Sequence, residues 1–69
     1  MTTKLKSVTR ALGYSGRDLA DMTGLSRSSV YKYLSGARPL SLKTARAVFA
    51  PALMVPAEEL MGFTEEASR

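Results

Sequence analysis

The chain has no cysteine, no histidine and no tryptophan among its 69 residues. Without cysteine, neither a disulfide framework nor a thiolate metal site can staple it. Without histidine, it lacks the commonest general base and the usual nitrogen ligand for zinc. The missing tryptophan removes the large indole platform for stacking. Long hydrophobic runs are also missing. The longest, Ala47 to Pro56, has ten residues and contains Pro51, against about 20 needed to cross a bilayer. No signal peptide is recognisable, so the expectation is a cytoplasmic protein. The length allows one domain, short of the size at which a single core is comfortably stable. Stability must come from packed apolar side chains, helped by a partner subunit. No enzyme activity, metal or other cofactor is expected.

Acidic side chains are scarce along most of the chain. Residues 1–55 carry nine basic side chains against Asp18 and Asp21, a net +7. Residues 56–69 carry Glu58, Glu59, Glu65 and Glu66 against Arg69, a net −3. A positive body with an acidic end points to a polyanion partner for the body.

What the sequence does have is helical periodicity and clear punctuation. Leu5, Val8, Ala11 and Leu12 recur at helical spacing and predict a helix over about 3–12, with Gly13 as a left-handed stop. Three further starts share one pattern: Tyr14-Ser15, Leu25-Ser26 and Leu40-Ser41. In each, serine caps the orphan amides of the first turn, behind an apolar residue placed for a hydrophobic staple. Ser15 and Asp18 resemble a capping box. The predicted helices run over about 16–23, 27–34 and 42–50, the last kinked or ended by Pro51. A fifth, about 57–61, stops at Gly62. The segment Ala37-Arg38-Pro39-Leu40 reads as a loop, and residues 64–69 as a flexible acidic tail. No strand pattern is evident. Tyr14, Met22, Phe49, Leu53, Leu60 and Met61 are expected in the core or on a dimer surface.

The stretch 16–34 has the physical pattern of a helix-turn-helix. Gly24 supplies the positive φ of the turn. Ala20 is small where the helices cross, and Leu19, Leu25 and Val30 hold the pair together. The second helix presents Arg27, Ser28, Tyr31 and Lys32 outward, with its N-terminal side chains placed for base edges in a major groove.

The residues Leu19-Ala20, Gly24-Leu25-Ser26-Arg27-Ser28-Ser29-Val30 and Leu34-Ser35-Gly36-Ala37-Arg38-Pro39 resemble the Cro/repressor (XRE) family. The resemblance extends through Val55-Pro56-Ala57-Glu58-Glu59-Leu60 and covers about residues 4–62. It implies an all-α, compact five-helix bundle of the lambda repressor-like class over residues 1–63, in agreement with the helix count above. Three departures stand out. Gly16 lies where the family usually has a glutamine that helps hold a phosphate, so either Arg17 takes that role or the contact is lost. Leu34 replaces a frequent glutamate, which favours burial. Pro51 and Met54 replace a helical residue and a glycine.

The resemblance places Arg27, Ser28, Lys32 and Tyr31 at the base-reading surface. A guanidinium such as that of Arg27 can bond both guanine acceptors in the major groove. Ser15, Arg17, Ser26, Arg38 and Lys43 are the expected phosphate contacts, the serines at helix N-termini that favour anions. Lys4, Lys6 and Arg10 read as solvated charges, and Asp18 and Asp21 as a cap and a surface charge. Phe63 has no evident place in a monomer core and is expected, with the last helix, at a homodimer contact.

The expected function is a regulator of transcription, a repressor, that binds double-stranded DNA as a dimer on a near-palindromic operator. It resembles a Cro protein or compact immunity repressor, or the N-terminal domain of a longer one. The other readings are an antitoxin of the same fold and a protein-interaction module that lost DNA binding. No small-molecule ligand or membrane is expected.

Overall fold

A computed structural model describes residues 2–64. The chain opens with a two-residue strand, β1 (Thr2–Thr3), and helix α1 (Lys4–Ala11) follows directly. Thr3 caps α1 through its hydroxyl, which accepts from the Lys6 amide. Helix α2 (Gly16–Thr23) begins at the Ser15 cap, where both hydrogen bonds of a capping box with Asp18 are formed. Helix α3 (Arg27–Ser35) begins at the Ser26 cap. Between α2 and α3 the chain turns at Gly24, φ +77°, a conformation open to glycine without a Cβ penalty. The Thr23 hydroxyl accepts from the Leu25 amide across that turn and donates to the Leu19 carbonyl.

After the loop, the Ser41 cap starts a continuous helix, α4, over residues 42–53. A single 3-10 turn, Ala57–Leu60, and a strand, β2 (Phe63–Thr64), complete the described chain. The strands pair antiparallel, Thr2 with Thr64 and Thr3 with Phe63.

Each helical segment sends one fully buried side chain to a common centre: Leu5, Leu19, Val30, Phe49 and Leu60. Each contributes about 1.5–3 kcal/mol by leaving water. Tyr33 meets Phe49 edge to face, with ring centroids 5.4 Å apart. Thr3 is buried, and its hydroxyl donates to the Leu34 carbonyl at 2.7 Å. One side chain therefore caps the start of α1 and satisfies a carbonyl in the last turn of α3.

Among the described residues four α-helices are present, and the fifth expected over 57–61 is the short 3-10 turn. Pro56 and the left-handed Gly62 bracket a stretch too short for a regular α-helix. Nor does α4 end near Ala50; it continues past Pro51 to Leu53. Residues Ala45–Phe49 wind as a π turn, in which the Ala50 amide reaches back to Ala45. Proline lacks an N–H and crowds the carbonyl four residues earlier, and a locally widened turn accommodates both. The helix then stops at Met54, which adopts a left-handed conformation at φ 58°.

The paired strands were not expected, because two residues cannot display a period of two. Thr64 belongs to β2 rather than to a tail, and residues 65–69 lie outside the described residues. On α1, Ala11 and Leu12 are exposed and do not join the core. Thr9 takes the inward place, with its hydroxyl donating to the Leu5 carbonyl at 2.7 Å. Tyr14 and Met22 are also exposed, while Phe49, Leu53 and Leu60 are buried.

Two substitutions test these features. Thr3→Val keeps the shape of the side chain but leaves the Leu34 carbonyl unpaired, and should cost about 1–3 kcal/mol in urea unfolding. Met54→Gly removes left-handed strain at an exposed position and should raise stability by up to about 1 kcal/mol. A Met54→Gly protein with an unchanged or lower urea midpoint would rule out strain at that turn.

Candidate nucleic-acid interface

Helix α3 divides its residues cleanly. Val30 and Leu34 are buried against the core, while Arg27, Ser28, Tyr31 and Lys32 are exposed on successive turns. The inward pair fixes the helix, and the outward row carries no packing duty in the core. Among the residues expected to read bases or hold phosphates, Ser15, Ser28, Tyr31 and Lys32 come together along one open cleft. The cleft has a volume of about 600 Å³ and runs between α1, the start of α2 and α3. Arg17, Ser26, Arg27, Arg38 and Lys43 do not line it.

Lys6 and Arg10 of α1 line the same cleft, so among the described residues three cationic side chains and no carboxylate border it. By sequence alone these two read as solvated charges. Their spacing of four residues puts them on one helix face, but only the packing of α1 beside α3 shows that this face borders the outward row. Leu34, at the position where an acid is frequent in the family, lines the cleft as an apolar and nearly buried side chain.

The serine caps are largely committed. The Ser26 hydroxyl accepts from the Ser29 amide and donates to the Ser29 hydroxyl. Its donor proton is therefore engaged within the cap. The Ser15 amide donates to Asp18 Oδ2 at 3.0 Å. That amide first, the Ser15 hydroxyl second and the Arg17 charge last hold the Asp18 carboxyl below its usual range, against a small opposing effect of desolvation. A carboxylate thus occupies the Ser15 amide that a phosphate would otherwise use.

Arg38 is held differently. Its guanidinium lies 5.5 Å from the centroid of the Tyr33 ring, within cation–π range. Its backbone amide donates to the Lys32 carbonyl at 3.1 Å. The loop cation is thereby tied both to the end of α3 and, through Tyr33 and Phe49, to the core.

Buried Leu19 and Ala20, half-buried Leu25, buried Val30 and the left-handed Gly24 are the framework of two helices joined by a tight turn. The profile of the helix-turn-helix family matches residues 5–50. The chain belongs to the helix-turn-helix family, of the Cro/repressor (XRE) type. The match spans α1 to α3 and most of α4, and leaves β1, the 3-10 turn and β2 outside it. No curated protein and no solved structure matches the chain significantly. A helix-turn-helix of this type is a DNA-binding domain. Among the described residues, no helix is long and apolar enough to cross a membrane.

The Asp18 cap has a consequence for acid stability. Its carboxyl is held low in the folded chain, so its contribution is complete above the unfolded value. That contribution is lost as pH falls below about 4, through the lowered value. Asp18→Asn should therefore flatten the acid limb of a stability–pH curve. Parallel loss in both proteins below that pH would show that the capping box is not what titrates.

Proposed function

We propose that this helix-turn-helix protein is a sequence-specific regulator of transcription, a repressor, that binds a near-palindromic operator as a homodimer. The observation that carries the reading is the unpartnered polar row of α3: Arg27, Ser28 and Lys32 project from a helix whose other face is fixed by Val30 and Leu34. Helix α3 enters the major groove, and α2 crosses the backbone at its edge. Arg27 reads guanine through its two acceptors, with Lys32 one turn further along and Ser28 between them. Arg17, Arg38 and Lys43 grip flanking phosphates. Lys6 and Arg10, at the border of the same cleft, extend that grip onto α1. Ser15 and Ser26 serve first as caps.

Dimerisation would place two copies of α3 in successive major grooves, about one helical turn apart. Phe63 supports that reading, because its ring stays 54% exposed at the edge of a shallow apolar groove with Leu40 and Leu60. By the family resemblance, such a repressor works in a bacterial or phage-infected cell, in the compartment that holds the DNA.

Arg27→Ala should cost about 1–3 kcal/mol of discrimination between the preferred duplex and one changed at a single base pair. A gel-shift titration on both duplexes measures it, and equal discrimination by mutant and wild type would remove Arg27 from the readout. Affinity should also fall steeply with salt, because bound cations release counterions. A flat salt dependence would favour a protein partner instead.

A further inference from the structure

Gly16, the first residue of α2, lies directly beneath the ring of Tyr31. A Cβ built on Gly16 would stand 2.5 Å from Tyr31 Cε1 and 3.0 Å from Cζ, closer than carbon atoms approach without displacement. The ring can therefore occupy this place only because residue 16 has no side chain. This geometry bears on what Tyr31 does. A base-reading side chain must project from α3 into the groove, as Arg27, Ser28 and Lys32 can. Tyr31 instead leans back across the helix pair onto the start of α2. The first helix of such a pair is the one that crosses the DNA backbone, so a ring resting on its first residue lies at the phosphates rather than over the bases. Lys6 and Lys32 border the same cleft and draw an anion towards it.

We infer that Tyr31 is a phosphate contact positioned by Gly16, with its phenol O–H donating to a backbone phosphate oxygen. The inference rests on the DNA-binding reading and changes one residue's role within it. The phosphodiester supplies the charged acceptor, and the tyrosine supplies a neutral donor. The ring's seat on Gly16 limits its freedom before binding, so less order has to be imposed when DNA arrives.

The test combines Tyr31→Phe, Gly16→Ala and the double variant, each bound to a randomised duplex library and then titrated against individual duplexes. Tyr31→Phe should weaken binding about 10- to 100-fold on every duplex, the loss of one hydrogen bond to a charged acceptor. The preferred sequence and the salt dependence should not change, because no base contact and no charge is removed. Gly16→Ala should weaken binding similarly by displacing the ring, and should add little on top of Tyr31→Phe. A changed base preference in Tyr31→Phe would make Tyr31 a base reader and overturn the proposal. So would wild-type affinity in that variant, or additive losses in the pair. If Gly16→Ala fails to fold by circular dichroism, Tyr31→Phe alone decides between these outcomes. A wild-type protein that binds duplexes without preference would overturn sequence-specific reading while leaving the phosphate contact standing. One that binds no duplex overturns both.

Discussion

The hydroxyl of Thr3 joins parts of the chain that are otherwise far apart. It accepts from the Lys6 amide and so fixes where α1 begins. It donates to the Leu34 carbonyl, thirty-one residues away, and so ties the last turn of α3 to the start of α1. Its backbone pairs with Phe63, which brings the end of the described chain to the same place. In a chain with no disulfide, these three attachments meet at one buried residue. A carbonyl in the last turn of a helix is usually left to water or to a glycine cap. Here it is satisfied from the N-cap of another helix, and α3 is thereby held against α1 at a set height.

That constraint explains why the cleft beside α3 reaches onto α1. With the last turn of α3 held beside the first turn of α1, Lys6 and Arg10 border the outward row of α3 across a cleft. Three cationic side chains, two from α1 and one from α3, then border one cleft. Burial of Leu34 reinforces this arrangement, because an acid at that position would neutralise part of the cleft while its backbone still met Thr3. Charge placement and helix placement thus follow from one packing arrangement.

Much of this was legible in the sequence, for definite reasons. Serine caps, glycine stops and an Asp three residues after Ser15 are local signals, and local signals survive without knowledge of tertiary structure. They located α2, α3 and the start of α4, and the spacing of Leu19, Ala20, Gly24, Leu25 and Val30 located the turn between the paired helices. What was not legible depends on contacts distant in sequence. Thr9 is polar, and becomes an inward residue because its hydroxyl can bond back to Leu5 within the helix. The two-residue strands exist only because the ends of the described chain meet. The π turn was hidden because Pro51 normally ends a helix, and its relief lies in residues preceding it. The seat of Tyr31 on Gly16 was hidden in the same way: Gly16 reads as a weak helix residue until α3 is packed beside it.

Rigidity at the interface has a source distinct from the caps. The hydroxyl proton of Ser26 is engaged within its own helix start, so this serine orders α3 without offering a hydroxyl donor to a ligand. The loop cation is ordered from beneath, because Arg38 lies against Tyr33 and Tyr33 lies against Phe49, at the centre of the core. A long arginine on a surface loop ordinarily samples many rotamers and gives up that freedom on binding. Contact with a half-buried ring narrows the range in advance while leaving the guanidinium at the surface. Tyr31 on Gly16 follows the same logic on the other side of α3. In both cases a flexible or bulky side chain is settled by an aromatic contact to the framework, which limits its freedom in advance.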